Sequence, residues 1–332
     1  MHELQYLIFT VVVLALVFDY INGFHDTANA IATSVSTRAL PPKLAILMAA
    51  CLNFAGAMYS TGVAKTIGGD LVQSASHVDE KIIIAALTGA IIWNLLTWWF
   101  GIPSSSSHAL VGGIVGAVLV STGAIGLNLY GIAKIVISLV FSPVIAIITG
   151  CTVMTLLYWL FGRCSPHTVN HKFKRMQILS AAMMSFSHGS NDAQKAMGII
   201  TLALLSGGYV DSLEVPTWVK IAAATSMGLG TLAGGWKIIK TMGGKIFKLE
   251  PVSGFAADLN SSIVVFGATL LHLPVSTTHV VSGSIMGVGT AKRVGAVRWG
   301  VAQQMLWAWV LTIPCTALMS ALTYYIVLFI FG

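Results

Sequence analysis

Charge is what this sequence has least of. Asp, Glu, Lys and Arg make up 9% of the chain, against roughly a quarter in a soluble domain. Hydrophobic residues make up 56%, and the mean hydropathy is +0.85. That balance excludes an ordinary soluble fold and gives an all-α polytopic membrane protein. Cysteine is scarce as well. Cys51, Cys151, Cys164 and Cys315 are scattered, three of them within apolar runs, so neither a metal-type spacing nor a disulfide framework is present. No linker is long or low in complexity, which argues against a separate soluble domain. The first apolar run, Leu4 to Val17, has no basic segment ahead of it and no small-residue cleavage site, so it reads as a span and not a signal peptide. The nine tryptophans suit interfacial belts and packing.

Hydropathy marks eight segments: 4–36, 44–64, 82–120, 131–161, 178–206, 218–235, 253–290 and 299–331. About 20 apolar residues span a bilayer, so 82–120 and 253–290 hold two helices each, broken at Pro103 and Pro274. If these pairs are re-entrant hairpins and the N-terminus is outside, the cytoplasmic loops are 37–43, 162–177, 236–251 and 291–298. Those loops hold thirteen of the 18 basic residues. The outer loops carry Asp70, Asp79, Glu80, Asp211 and Glu214. The positive-inside rule is then obeyed, and the net charge of +7 belongs to the membrane, with no nucleic-acid partner expected. If each hairpin helix crossed separately, the two halves would lie parallel and loop 121–131, which has no basic residue, would become cytoplasmic. With hairpins, each half makes three net crossings. The expected architecture is two inverted repeats, 1–165 and 166–332, each with a broken first helix and a re-entrant hairpin, and both termini outside. Secondary transporters are built in this way around a midplane site.

Two polar motifs occur twice. Pro103-Ser104-Ser105-Ser106-Ser107-His108 returns 171 positions later as Pro274-Val275-Ser276-Thr277-Thr278-His279. A polar turn at membrane depth survives only where protein encloses it or it lines a cavity. Each turn opens a helix, so free N–H groups and the positive end of the dipole point to the midplane and favour an anion. The hydroxyls of Ser104, Ser105, Ser106, Ser107, Ser276, Thr277 and Thr278 add donors for a tetrahedral oxyanion. The plainer alternative is that these residues cap helices and let them pack closely.

The second motif is a polar stripe. Asn22-Gly23-Phe24-His25-Asp26-Thr27-Ala28-Asn29-Ala30 is matched by His188-Gly189-Ser190-Asn191-Asp192-Ala193-Gln194-Lys195-Ala196. Positions 22, 26 and 29 share one helical face, as do 188, 192 and 195. A carboxylate at the centre of a span costs about 2.5–3.5 kcal/mol on insertion scales, so two in equivalent places need a reason. The adjacent glycines would let the backbone unwind and offer carbonyls. Asp26 and Asp192, helped by Asn22, Asn29, Asn191 and Gln194, read as an oxygen site for a small cation; the alternative is an ion pair of Asp192 with Lys195. Asn29 and Lys195 are also candidates for the anion, and Lys195, where the first stripe has Asn29, breaks the two-fold match of the ion sites. Asn94, near the first turn, is a further cation candidate, Asp19 reads as interfacial or packing, and His108 and His279 as hydrogen-bonders at helix N-termini.

These stripes, the two Pro-Ser turns and the run Gly235-Trp236-Lys237-Ile238-Ile239-Lys240-Thr241-Met242-Gly243 resemble the inorganic phosphate transporter (PiT) family over essentially the whole chain. The resemblance implies orthophosphate symport with sodium or protons at the cell membrane, commonly by a homodimer, with no cofactor beyond the transported cation and no enzymatic activity. It also adds Asp258, where the family often carries an acid, and Asn53, where some relatives have Glu, to the candidate cation ligands. Carboxylates among amides and hydroxyls lean to sodium. A passive pore would have no need of paired acids. Sulfate and metal–phosphate complexes are rival cargoes. An intramembrane hydrolase using the neighbouring Ser107 and His108 is the remote alternative, since catalysis needs a mutual geometry and not two inverted copies.

Overall fold

Each half of the chain lays down the same run of helices. The computed structural model describes residues 2–74 and 78–331. The first half contains α1 (His2–Ser36), α2 (Pro42–Ala57), α3 (Gly62–Asp70), α4 (Glu80–Phe100), α5 (Ser106–Ser121) and α6 (Leu129–Phe161). The second contains α7 (Pro166–Ser206), α8 (Thr217–Ala233), α9 (Trp236–Gly244), α10 (Pro251–Leu270), α11 (Thr277–Lys292) and α12 (Trp299–Phe331). A short 3-10 turn precedes both α6 and α12. Both of these helices have 33 residues and an internal proline, Pro143 and Pro314. Ahead of each Pro turn the backbone enters the left-handed region, at Gly101 (φ 66°) and at His272 (φ 59°).

The two ends of each hairpin come together. Leu71–Gln73, just before α4, is hydrogen-bonded to residues 126–128, just after α5. Glu250 and Lys292, at the outer ends of α10 and α11, form an ion pair at 2.8 Å, and Arg298 N–H donates to the Ile246 carbonyl. The hairpins rise from opposite ends of α1. At its start Ile8 lies against Gly207, near Val78; at its end Ser36 bonds Gly243. The tips meet in between, where Ser107 Oγ donates to the Val275 carbonyl at 2.9 Å. The start of α1 and the end of α12 share one rim, since Lys81 Nζ, beside Val78, reaches the Phe331 carbonyl at 2.8 Å.

Packing crosses between the halves. α1 lies on α8, α2 on α7, α5 on α12 and α11 on α6. Glycine permits the closest of these approaches. A Cβ at Gly23 would sit 2.5 Å from the Met227 carbonyl oxygen, and one at Gly189 would sit 2.1 Å from that of Asn53.

The same two glycines explain the first departure from expectation. α1 and α7 are continuous helices of 35 and 41 residues, not broken at the polar stripe. Glycine inside a helix costs only about 1 kcal/mol relative to Ala, far less than freeing several backbone groups at membrane depth. Here it supplies clearance for a neighbouring helix, and no carbonyl is released. The bend falls instead in the second element: α2 and α3 meet at 68°, so 44–64 is no single straight span. Likewise 218–235 ends in α8, and 236–251, expected as a loop, begins with α9.

Among the described residues four helices, α1 (from Leu4), α4, α6 and α12, are individually long and apolar enough to cross a membrane, and α2 with α3 passes the same test only when the bent pair is taken together. α7 fails that test of composition because its start is basic (Lys172, Lys174, Arg175) and its centre carries the polar stripe. Its side chains from Ser187 to Leu204 are nonetheless buried.

Candidate functional site

The fold brings one stripe from each long helix against both hairpin tips. Asp26, on α1, accepts a hydrogen bond from each tip: Ser106 Oγ at 3.0 Å on Oδ2, and Thr278 Oγ1 at 3.2 Å on Oδ1. His25 Nδ1 also lies 2.8 Å from its Oδ1. Asp192, on α7, accepts from Thr277 Oγ1 at 3.0 Å. Asn29 Nδ2 donates to Thr277 and Thr278 Oγ1 at 3.1 and 3.0 Å. Ligand atoms of Asp26, Asp192 and His188 all lie within 4.8 Å of one another. Two carboxylates at that spacing repel by about 3–4 kcal/mol at an effective dielectric near 20, which a cation between them would reverse.

Lys195 Nζ lies 2.8 Å from Asp192 Oδ1, so the ion pair weighed as the plainer alternative is formed, although not as a well-aligned hydrogen bond. Both residues are 0% exposed. The stripes therefore differ in kind: an amide reaches the hydroxyls from α1, while an ammonium holds the carboxylate on α7. His188 lies 3.4 Å from Asp192 Oδ2 and 3.0 Å from Asn53 Oδ1; Asn53 in turn donates to Thr231.

Several sequence candidates make hydrogen bonds within the protein. Ser105 and Ser276 cap α5 and α11, accepting from the His108 and His279 backbone N–H groups. Ser104 donates to Thr97, and Ser107 ties the two tips together. Asn191 holds the second turn through Thr269, the Leu273 carbonyl and the Val275 N–H. Gln194 accepts from the Ala64 N–H near the start of α3. Asp258 bonds Thr33 and lies outside the central cluster. Asn22 and Asn94 are buried, and their side-chain N and O atoms have no partner. The hairpin histidines meet with ring centroids 4.5 Å apart.

Three further ionisable residues lie at or beside the cluster. His25 and His188 sit inside the quoted stripes, and their positions beside Asp26 and one turn from Asp192 were the available signal. Asp19, expected to be interfacial or packing, is 0% exposed and within electrostatic range of Asp192 and Lys195. It shares a helical face with Asn22, three residues on, which was its signal. All side chains at the convergence point are buried, so the site is closed to both rims and opening requires helices to move.

This arrangement can bind a tetrahedral anion between two helix N-termini and a cation between two carboxylates. A family model described as the phosphate transporter family matches residues 22–320. A probable low-affinity inorganic phosphate transporter of Bacillus subtilis (strain 168) is 53% identical over 323 residues, 97% of this chain and 97% of the relative. A protein of the same description from Rhizobium meliloti (strain 1021) is 48% identical over 316 residues, 95% of this chain and 94% of its own length. A solved structure described as the sodium-dependent phosphate transporter superposes with a TM-score of 0.88 at 27% identity, covering 98% of this chain and all of that one.

Proposed function

The chain belongs to the phosphate transporter family, a family of membrane transporters and not of enzymes, and on that premise we propose that it imports inorganic phosphate by symport with sodium. The observation that carries the reading is the double hold on Asp26, by Ser106 of one hairpin tip and Thr278 of the other. The cation site and the anion site then share their side chains, so occupancy of one alters the other.

In this proposal Ser106, Thr277, Thr278 and Asn29, with the first N–H groups of α5 and α11, bind the phosphate. The caps Ser105 and Ser276 leave the earliest N–H groups of each helix without an intrahelical partner. Asp26 and Asp192 hold the cation, with His188 beside them. Moving a divalent anion inwards against ~100 mV costs about 4.6 kcal/mol from the potential alone, at ~2.3 per charge; cotransported cations cancel that term. Asp26, set between the tips, also favours phosphate over sulfate. HPO4(2−) can donate its proton to that carboxylate, whereas sulfate at neutral pH has none to give.

Residues 1–165 and 166–332 are proposed to be inverted repeats, and the protein to lie in the cell membrane as a homodimer with both termini outside. Support comes from the recurrent helix order and from hairpins rising at opposite ends of α1; the orientation follows from the basic residues of 37–43, 162–177, 236–251 and 291–298, and the dimer from the family resemblance. Alternating access moves α1 and α7 relative to the paired tips.

Uptake of radiolabelled phosphate into proteoliposomes, with sodium or potassium outside at fixed pH, tests the reading. The expected result is sodium-driven accumulation that is lost in Asp26→Asn. Uptake that ignores sodium and follows an imposed pH gradient would replace the coupling ion, and uptake of sulfate alone would overturn the cargo.

A further inference from the structure

The run from Gly235 to Gly243 forms α9, which takes no part in the central site and borders a groove on the outer face of the bundle. α9 is amphipathic. Ile238, Ile239, Thr241 and Met242 are buried, while Trp236, Lys237 and Lys240 are exposed. Its buried side is fixed to the ends of α1 and α4: Ser36 bonds Gly243, and Thr241 donates to the Gly101 carbonyl at 3.2 Å. Lys237 donates to the Trp99 carbonyl at 2.9 Å, with its ammonium 4.5 Å from the centre of the Trp99 ring. A helix with an apolar face, and with lysine and tryptophan on the other, is the kind that lies at a membrane interface.

The groove lies between α4, α9 and α12 and has a volume of about 470 Å³. The exposed Lys245 and Gln304 line its rim end, and Trp93, Pro103 and Leu311 its inner end. There Trp93 Nε1 donates to Thr312 Oγ1 at 3.1 Å and ties α4 to α12. The hydroxyls of Thr97 and Thr241, which also line it, are already engaged by backbone carbonyls. Along α12 the groove runs from Val301 to Leu311, about 15 Å at 1.5 Å per residue. That is half of the ~30 Å hydrocarbon core, the depth of one leaflet. The rim beside it is basic. Four basic residues in 236–251 and three in 291–298 stand against Glu250 alone, and Glu250 is taken by Lys292. Among the described residues no salt bridge engages Lys245, so its ammonium is left for an anion from outside the chain.

We propose that this groove holds one anionic phospholipid, its phosphate on Lys245 and one acyl chain laid along α12 from Val301 to Leu311. Two features select that occupant. A free anion has no use for an apolar groove one leaflet deep, and a zwitterionic lipid brings no net charge to the basic rim, whereas an anionic headgroup is drawn to it. The seated chain touches Pro103, the first residue of a hairpin turn, and the headgroup lies beside the helix whose Thr241 holds Gly101. The lipid therefore backs the first hairpin turn from the membrane side.

Native mass spectrometry of the purified full chain tests this, after exchange in detergent micelles carrying equal amounts of dioleoyl phosphatidylglycerol and dioleoyl phosphatidylcholine. Wild type is expected to retain one phosphatidylglycerol per chain in preference to phosphatidylcholine. Lys245→Gln should cut that preference about fivefold, the worth of one lysine beside an anionic surface. Lys172→Gln removes the same charge from the same rim, where Phe173 packs on Phe255, but outside the groove, and should keep the preference. Ala308→Phe fills the groove without changing any charge and should lose the retained lipid. The two lysine variants, at exposed positions, carry the test alone if Ala308→Phe does not elute from gel filtration like wild type. Equal retention of the two lipids by wild type would overturn the proposal, as would an equal fall in both lysine variants, which would assign the preference to the whole rim. Phosphatidylglycerol kept by a folded Ala308→Phe would also overturn it. A wild-type dimer that carries no lipid and is split by Ala308→Phe would make this face a contact between two copies instead.

Discussion

Trp309 stacks on His279, ring centroids 3.9 Å apart and planes at 26°. The same indole donates from Nε1 to the Pro103 carbonyl at 3.3 Å. One side chain of α12 thus holds the first residue of one hairpin turn and the last residue of the other. Trp309→Phe keeps the stack and drops the hydrogen bond. A net loss of about 1 kcal/mol is expected, read as a small fall in Tm. Trp309→Ala also opens a hole behind both tips, at about 3–5 kcal/mol, and should abolish sodium-driven uptake in the surviving protein.

Ser106→Ala removes one donor to the Asp26 carboxylate. A hydrogen bond to a charged group is worth about 1.5–3 kcal/mol, so the half-saturating concentration for phosphate or sodium should rise roughly 10- to 100-fold. Ser105→Ala removes the cap of α5, which costs about 1 kcal/mol, and should lower Tm more than it alters substrate dependence. Uptake kinetics beside thermal melting separate the two; equal effects of both variants on both measurements would refute the division of roles.

Lys195→Gln takes the tethered ammonium away from Asp192. Without sodium the carboxylate is then uncompensated at 0% exposure, and losing one partner of a buried pair costs about 3–5 kcal/mol. With sodium, a mobile cation takes its place. The rise in Tm between choline and sodium buffers should therefore be larger in the variant than in wild type. An unchanged rise would mean that Lys195 does not compete for the site.

Gly189→Ala places a methyl against the Asn53 backbone, 2.1 Å from its carbonyl oxygen. Neither helix can yield without disturbing His188 and Asn53, so folded yield in detergent should collapse. Gly267→Ala is the control: a Cβ there meets nothing within 4 Å, and a gain of about 0.5–1 kcal/mol is expected from helix propensity.

The sequence exposed what repeats and hid what is settled by facing. Paired Pro turns and paired stripes are local strings, so the hairpins and both central aspartates could be read before any coordinates. The continuity of α1 and α7 could not, because glycine permits unwinding and close packing alike, and only the neighbours Met227 and Asn53 decide between them. The bend between α2 and α3 was hidden because residues 58–61, Met-Tyr-Ser-Thr, contain neither Gly nor Pro. The hydrogen bonds of Gln194 and Asn191 were not legible, because their partners, the Ala64 and Val275 N–H groups, lie 130 and 84 residues away. Asp19 reads from sequence as interfacial or packing because nothing in the second half repeats it.

The crossed packing of α1 on α8 and α2 on α7 also bears on how the protein is made. When the ribosome has completed α6, both α1 and α2 still lack the helix that covers them, and Gly23 faces lipid instead of the Met227 carbonyl. Late synthesis therefore assembles the molecule as two unfinished leaves closing on each other. The insertion machinery must hold α1 and α2 uncovered for about 70 residues of further translation, from the end of α6 at Phe161 to the end of α8 at Ala233, and a chain truncated after residue 165 is left as a natural client for membrane quality control.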